Sequence, residues 1–512
     1  MYTNRGLEAN LNGVSPSGDL DLRGLNQIPS SSSHFHGFQD SFAEYGNVGF
    51  RFNQYETMED HFSKHQKLEE QQQAYLGRGL IAGQRFDLLS LPLQACLEEI
   101  AQIDVIPVGN RDIPDHGTQK LVSGSYGSSQ SKMIIEQSPG MLSGFLPEKA
   151  GNQQFECANR LLTRCDFLCS KTGNPVERLV YYFSQALRQR IDRQTGRAAA
   201  DDQTKQEELD MNRSLMIATP STLAARKRMP FGELVHALGP QEIIENVANS
   251  KRIHIIDLFI RTGVQWISFM HSFVPQGRCS IELLKITAIA TDSYKDLVEN
   301  ACKRLKTFAE SENIPFCINL VVVADMLDLK HGMFDTREDE TIVVYSEFGL
   351  RSLIQQPNRL EVLMKVVRNL KPRVMVVVEV EARNNSLSFV NRFVEALFFF
   401  GAWFDCFDAS MERDCAHRME MESVYGYGMA NMVAAEGVER KIRHVTIDVW
   451  RAFLARFGMV DTELSTSSMY QASLLLQKFP CGSSYTLDKN QNSLLIGWKG
   501  TPLISLSIWK SH

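Results

Sequence analysis

Residues 251–266 read Lys-Arg-Ile-His-Ile-Ile-Asp-Leu-Phe-Ile-Arg-Thr-Gly-Val-Gln-Trp, and this stretch decides the fold. Residues 253–256 form an apolar run rich in β-branched side chains, which predicts a strand. The strand ends in Asp257, and a loop with Gly263 leads into an amphipathic run at 264–274. This is the opening strand–loop–helix of a doubly wound α/β sheet, where ligands usually bind. The glycine-rich phosphate loop is missing, so the sequence gives only a weak nucleotide-binding signal.

Strands and helices alternate after this opening. The spacing predicts a mostly parallel sheet covered on both faces. The predicted strands are 253–257, 282–289, 316–323, 342–347 and 373–380, and the helices are 264–274, 294–311, 350–370 and 386–402. A helix at 446–457 is followed by three closely spaced strands, which must pair antiparallel, at 470–478, 493–498 and 502–509. The predicted fold is α/β: a Rossmann-like, class I methyltransferase-like sheet with an antiparallel C-terminal part.

The N-terminal half has a different composition. Residues 1–85 are rich in Ser, Gly, Asn and Gln without a helical or strand period, which predicts a disordered low-complexity region. Residues 86–250 are predicted to form a helical cap, with helices at 91–103, 153–170 and 176–191. A Gly/Ser-rich insertion at 104–150 is predicted to be mobile. Residues 251–512 are predicted to form the α/β core.

Charge and cysteine content exclude several classes. The 512 residues carry a net charge of −6, which argues against a strongly basic nucleic-acid binder overall but allows a local basic face. The ten cysteines lack zinc-finger spacing, so an intracellular protein with reduced thiols is expected. The apolar patch at 396–404 is too short to span a membrane, and we expect no membrane association.

Several separate blocks carry a family resemblance. His254 and Asp257 lie in an Ile-His-Ile-Ile-Asp block that is followed by Gly263, Gln265 and Trp266. Similar blocks follow in order, at 304–316, 391–397, 436–451 and 497–509, and the last two of them contain Arg440, Arg443, His444, Trp450, Trp498 and Trp509. Together with residues 173–187, these blocks resemble the plant GRAS family of transcriptional regulators over roughly residues 86–512.

The match has departures from the family pattern. Val445 stands where an acidic residue usually follows the Arg-His pair, and Ile508 stands where the family usually has Ala. The domain is similar to the DELLA-like and SCARECROW-like branches, but the N-terminal region lacks the Asp-Glu-Leu-Leu-Ala segment of gibberellin-regulated members. Degradation by that hormone route is therefore not expected.

The family resemblance implies a regulatory, non-enzymatic function. It implies a nuclear regulator, with the cytoplasm as an additional compartment, that acts in complexes with DNA-binding transcription factors and other GRAS proteins, as homodimers or heterodimers. It implies no enzymatic activity, cofactor or metal. Direct sequence-specific DNA binding is the alternative, and an S-adenosylmethionine-dependent methyltransferase is a third hypothesis from another class.

Candidate site residues follow from position and charge. Asp257 lies at the predicted switch point of the sheet, where it either anchors a ligand or loop, or caps the following helix or pairs with Arg261. Carboxylates that would bind ribose and amino-acid groups in a methyltransferase also lie near other predicted strand ends, at Asp292, Glu347, Glu379 and Glu381.

Two further sets concern macromolecular partners. Leu179, Phe183 and Leu187 lie on one apolar helix face and are candidates for partner binding, although the same face can support the cap. The candidates for DNA phosphate contact are basic, with a solvated helix end as the alternative interpretation; they are Arg188, Arg190, Arg193, Arg226, Lys227 and Arg228.

Removal of residues 1–85 is expected to leave a folded, soluble domain, because that region shows no core-forming period. The measurement is a thermal melt of a truncated chain that starts at Phe86, beside the full chain. Aggregation of the truncated chain, or loss of its cooperative transition, would contradict the prediction.

Overall fold

The computed structural model describes residues 145–197, 220–272, 281–412 and 415–511. The predicted low-complexity region 1–85, the predicted helix at 91–103 and most of the predicted insertion lie outside these ranges. Among the helices of the described ranges, none is both long and apolar enough to cross a membrane.

A nine-stranded sheet forms the centre of the described chain, in the order β3-β2-β1-β4-β5-β9-β8-β7, with β6 also paired to β9. The pairs among β1 to β5 are parallel, and those that involve β6 to β9 are antiparallel. The strands are β1 (Arg252–Asp257), β2 (Leu283–Thr291), β3 (Phe316–Val323), β4 (Thr341–Glu347), β5 (Val374–Val380), β6 (Met459–Thr462), β7 (Tyr485–Asn490), β8 (Ser493–Trp498) and β9 (Thr501–Ser511).

This strand order confirms the predicted fold class and locates the switch point. The chain runs outward from β1 through β2 to β3, then returns to place β4 on the other side of β1. In such sheets the carboxyl ends of the two strands at the reversal border a crevice. The five predicted parallel strands agree with β1 to β5 to within two residues at each end.

Helices cover the sheet and form the cap. They are α1 (Phe145–Gly151), α2 (Phe155–Asp166), α3 (Pro175–Gln194), α4 (Pro220–Arg228), α5 (Phe231–Asn246), α6 (Val264–His271), α7 (Lys295–Ser311), α8 (Pro357–Leu370), α9 (Phe389–Ser410), α10 (Ala416–Ala434), α11 (Ile447–Ala455) and α12 (Thr466–Leu476). The start of α3 follows from its sequence, because Asn174 and Glu177 form a reciprocal capping box and Pro175 occupies the first turn.

Several predicted elements are corrected. Residues 470–478 were predicted as a strand, but they lie largely in α12, whose start is capped by the Ser465 side chain. A short apolar run does not distinguish a strand from a buried helix, which explains this error. Strands β6 and β7 and helix α10 were not predicted, and α1 occupies the end of the predicted mobile insertion.

The cap is held by a buried ionic cluster. Helix α3 packs against α9 and α10, which come from the C-terminal half of the sequence. The fully buried Arg178 of α3 bonds Glu422 of α10 and Asp408 of α9, each at 3.0 Å. Arg418 contacts the same two carboxylates, at 3.6 and 3.1 Å. Charges buried in this way are stable only as a complete set, because removal of one partner leaves another uncompensated.

Arg178→Ala is expected to lower the free energy of unfolding by about 3–5 kcal/mol, because Glu422 then keeps only the longer contact to Arg418. The measurement is urea unfolding monitored by circular dichroism. Arg188→Gln is the matched control on the same helix: Arg188 and its partner Asp166 are both partly exposed, so its loss is expected to change stability by less than about 1 kcal/mol. Equal effects of the two substitutions would contradict the assignment.

Candidate functional site at the carboxyl ends of β1, β4 and β5

Asp257 ends β1 as a fully buried carboxylate with three donors. It accepts hydrogen bonds from the Trp266 indole at 2.8 Å, from the Gln265 amide at 3.3 Å and from the Phe259 backbone N–H at 3.2 Å. Burial raises the pKa of Asp257 to about 7, although these donors oppose the rise. The carboxylate therefore organises the loop and the first turn of α6 from inside the protein.

This arrangement corrects one part of the alternative to ligand anchoring. The N-cap of α6 is Gly263, without a side-chain cap, so Asp257 does not cap this helix. Arg261 lies 3.7 Å from Glu347. Gly263 has a φ of +73°, and an added Cβ would lie 3.2 Å from Leu305, so glycine suits the position.

Side chains of the same loop fill the crevice beside Asp257. Leu258 and Ile260 are buried. The ring of Phe259 lies so close to Gly349, in the loop after β4, that an added Cβ there would clash with it. Trp266 packs edge-on against Tyr345 of β4, with ring centroids 4.9 Å apart. The part of the switch point next to β1 is thus occupied by protein side chains.

Glu347 at the end of β4 is the centre of a second polar cluster. His236 of α5 lies 3.1 Å from its carboxylate, the Tyr345 hydroxyl donates to it at 3.1 Å, and Arg261 lies 3.7 Å away. Burial alone would raise the pKa of Glu347, but the neighbouring histidine and arginines lower it to about 2. Burial lowers the pKa of His236, and the neutral imidazole can still donate its Nε2–H. Arg261 therefore supplies the compensating cation.

Two carboxylates at the end of β5 have raised pKa values, in contrast to Glu347. Burial raises the pKa values of Glu379 and Glu381 to about 7. Glu379 accepts the backbone N–H of Arg351 at 3.1 Å, and Glu381 accepts that of Ile447 at 2.8 Å, at the start of α11. The fourth predicted carboxylate, Asp292, is exposed and lies after β2.

The family-motif residues of the C-terminal part have structural contacts. Arg440 and His444 are buried and contact Asn384, while Arg443 bonds the Asn385 side chain at 3.1 Å. Their loop is therefore tied to the segment after β5. All three predicted tryptophans are buried in the closing segment, with Trp450 on α11, Trp498 on β8 and Trp509 on β9. His254 is also buried, and bonds Glu340 at 3.0 Å and Thr287 at 2.7 Å.

All three candidate DNA contacts on α3 have carboxylate partners in the same chain. Arg188 pairs with Asp166 at 2.5 Å, Arg190 with Glu436 at 2.7 Å, and Arg193 with Glu439 at 2.9 Å. The side chain of Arg190 is 5% exposed, so contact with a phosphate would require the ion pair and its burial to be lost.

The basic trio of α4 differs from these residues. Lys227 and Arg228 are exposed at the end of the helix, and Arg228 lies 3.9 Å from Glu412. Arg226 is half-buried and contributes to the electrostatics around Glu347. The trio therefore does not act as one uniform basic patch.

The structure places the candidate partner face of α3 against the other helices of the cap. Phe183 and Leu187 are 0% exposed, and Phe183 packs against Phe393 of α9 with centroids 5.0 Å apart. Neither side chain can contact a second molecule in this conformation, because the face supports the cap. Leu179 is half-buried and lies near Gly401.

Together, the fold and the carboxyl edge define a Rossmann-like, methyltransferase-like α/β domain whose cofactor-side crevice is filled. The GRAS domain family profile matches residues 148–510. The chain therefore belongs to the GRAS family, which places it among plant transcriptional regulators.

Individual relatives agree with this assignment. Over 389 residues the chain is 31% identical to the DELLA protein RGL3 of Arabidopsis thaliana, a match that covers 75% of this chain and 72% of that protein. It is 30% identical to the DELLA protein GAIP of Cucurbita maxima over 71% of this chain, but the match spans only 61% of that protein. The crystal structure of SCL7 from Oryza sativa has the same fold, with a TM-score of 0.59 at 23% identity, and covers 68% of this chain and 94% of that chain.

Asp257→Ala is expected to lower the free energy of unfolding by about 2–4 kcal/mol, because the buried N–H groups of Trp266 and Gln265 lose their acceptor. Asp257→Asn, which keeps one acceptor oxygen, is expected to lose less. The measurement is chemical unfolding monitored by circular dichroism.

Calorimetry with S-adenosylmethionine up to about 1 mM, a threshold of roughly 4 kcal/mol, is expected to show no binding to the unmutated chain. A saturable isotherm that disappears in Asp257→Ala would assign a cofactor role to this carboxylate and contradict the structural role.

Proposed function

We propose that this protein regulates transcription in the plant nucleus through complexes with DNA-binding transcription factors and other GRAS proteins, and that it has no enzymatic activity. The family match over residues 148–510 carries the proposal. The filled crevice beside Asp257 supports it, because an adenosyl cofactor needs close approach to backbone amides, and the loop offers bulky side chains instead.

Recruitment through proteins, rather than direct DNA binding, is supported by the charges. The net charge of the chain is −6, and the arginines of α3 are engaged with carboxylates of their own molecule. Affinity for DNA depends on phosphate neutralisation by accessible lysine and arginine side chains. Such side chains are exposed at Lys227 and Arg228, so these two residues provide the test of the alternative.

Pairing with other GRAS proteins requires a surface other than the buried face of α3. Apolar side chains are exposed where α2 ends and α3 begins, with Phe167 at 84% and Val176 at 37%. We assign the pairing surface to this corner of the cap, because a partner can cover these side chains without opening the core.

The chain alone is not expected to shift plant promoter DNA in a manner that depends steeply on salt. A DNA-binding partner is expected to recruit the chain to the DNA. The double substitution Lys227→Gln with Arg228→Gln is expected to leave this recruitment unchanged. The measurement is a mobility-shift series from low to high salt, with and without the partner. Nuclear location is measured in parallel with a fluorescent fusion.

Direct binding would give a different result. A shift by the chain alone, whose salt slope falls by about two units in the double variant, would establish phosphate contact by these residues and contradict recruitment. Arg456→Gln is the control that also removes an exposed positive charge. Arg456 lies after α11 and pairs with Glu361 of α8.

A further inference from the structure

The two edges of the central sheet differ in their chemistry. Strand β7 forms one edge and carries the exposed residues Asp488 and Lys489, with the Lys489 ammonium 2.6 Å from the Glu463 carboxylate. Charged side chains of this kind keep other strands away from a sheet edge. Strand β3 forms the opposite edge, and its residues, Phe-Cys-Ile-Asn-Leu-Val-Val-Val, include no charged residue, proline or glycine. The β3 edge therefore lacks the usual protection against pairing.

Strand β3 is regular along its whole length. All eight of its residues pair with β2 in continuous parallel register, without a bulge. A bulge would twist the edge away from an incoming strand. Within the described ranges, β2 is the only strand that pairs with β3, so the N–H and C=O groups on the outer side of β3 meet no other strand there. Such a row of groups is a template for one more strand.

The side chains of β3 are also more accessible than those of the inner strands. Cys317 is exposed, and of the other residues only Val321 and Val323 are buried. In β1, β4 and β5, by contrast, all but one residue of each strand is buried. The partly exposed apolar side chains of β3 would lose contact with water if another strand lay beside them, which favours pairing.

A second copy of β3 is a suitable strand for this edge. Antiparallel pairing about a two-fold axis at the middle of the strand places each half of β3 opposite the other half of its copy. Three of the four kinds of pair that result join uncharged, mostly apolar side chains; they are Phe316–Val323, Cys317–Val322 and Ile318–Val321. Aromatic and β-branched pairs across strands are favourable, and no like charges meet.

The helix that flanks this edge carries balanced charges. Helix α7 packs against β3. It holds two ion pairs on successive turns, Lys295 with Glu299 at 3.8 Å and Lys306 with Glu310 at 3.9 Å. Each half of α7 thus presents both signs of charge. A second copy that approaches β3 meets no single-sign field on this helix, so its approach is not opposed by like charges there.

The geometry implies a closed and small contact. The inner side of β3 is already bonded to β2, so only one side can accept a strand and the pairing stops at two chains. A strand of this length spans about 27 Å. A contact limited to one strand and its flanking helix lies near the lower end of stable interfaces, which bury roughly 1,200–2,000 Å². The expected dimer is therefore reversible and depends on protein concentration.

We propose that β3 is an interaction surface for a second copy of this chain, which joins two central sheets edge to edge in antiparallel orientation. This surface is formed by other elements than the corner of the cap at Phe167 and Val176, to which pairing with other GRAS proteins is assigned. A dimer through β3 presents two such corners, so a partner with two binding sites can be held by both. The proposal does not rest on the transcriptional role.

The experiment is sedimentation equilibrium of the full chain under reducing conditions, over a series of protein concentrations. A monomer–dimer equilibrium with a dissociation constant in the micromolar range is expected. Cys317→Lys and Asn319→Lys place like charges near the two-fold axis, and each is expected to weaken the dimer at least tenfold, about 1.4 kcal/mol. Hydrogen–deuterium exchange at 316–323 is expected to slow as the protein concentration rises, because the outer N–H groups of β3 become bonded.

Three control variants separate strand pairing from other causes. Cys157 is an exposed cysteine on α2, so Cys157→Lys makes the same chemical change outside β3 and is expected to leave the dimer unchanged. Cys317→Ser removes the thiol without adding charge and is also expected to dimerise, which excludes a disulfide. Phe167→Asp, at the corner of the cap, is expected to keep the dimer through β3. Thermal melts identify variants that fail to fold, and exchange of the unmutated chain decides the outcome if both β3 lysine variants unfold.

Three results would overturn the proposal. The first is a chain that stays monomeric up to about 100 μM, beyond the range expected of a small reversible interface. The second is a dimer that both β3 lysine variants retain; if Phe167→Asp abolishes it, the contact between copies lies at the corner of the cap. The third is slow exchange at 316–323 that is independent of concentration, which would show that the outer side of β3 is already bonded within its own chain.

Discussion

The structure depends on the compensation of carboxylates that are buried at the ends of neighbouring parallel strands. Asp257, Glu347 and Glu379 end or approach the end of β1, β4 and β5, and each is at most 5% exposed. A buried carboxylate is strongly unfavourable unless donors or cations surround it. Because strand ends cannot supply these groups, they must come from the loops and helices above the sheet.

This requirement fixes how the helical part sits on the sheet. Asp257 is satisfied locally by Trp266 and Gln265 of α6. Glu347 is compensated by the Arg261 cation and also accepts a hydrogen bond from His236 of α5, so its contacts reach a helix that precedes β1 in sequence. The Arg178 cluster applies the same principle between α3, α9 and α10. Polar groups with unique partners specify one arrangement of the cap, whereas apolar packing alone tolerates several.

Local sequence patterns were sufficient for the parallel half of the sheet and for the antiparallel strands β8 and β9, but not for β6, β7 and α12. Strands β1 to β5 are continuous β-branched runs that helices separate, so periodicity locates them. The run at 470–478 has the same apolar character but forms α12, because Ser465 caps a helix and the segment packs against α5. Strand β7 contains Asp488, Lys489 and Asn490, and such a polar edge strand lacks the pattern on which the prediction relied.

The candidate site was predictable in part for the same physical reason. Asp257 and Glu347 were recognised because they follow apolar runs, and position in the sequence suffices for that. The contacts of Glu347 with His236 and of Arg351 with His444 join elements that are distant in sequence and that only the tertiary fold brings together. The pairing of Arg190 with Glu436 could not be predicted from local sequence either, because the two residues are 246 positions apart. Without that partner, the run of basic residues on α3 resembled a phosphate-binding face.

The two halves of the crevice are bordered by different kinds of side chain. Beside β1, the loop carries Leu258, Phe259 and Ile260 where a nucleotide-binding loop carries glycines. Leu258 and Ile260 are buried, and the Phe259 ring lies against Gly349. Beside β4 and β5, polar and charged groups persist, and Phe348 keeps a strained backbone that a purely structural turn would relieve with glycine. The polar groups beside β4 and β5 are held by contacts to the cap and to the loops, as Glu347 is by His236 and Arg261. Burial of such groups is stable only when these contacts are complete, so the carboxyl edge of the sheet and the helices above it must fold together.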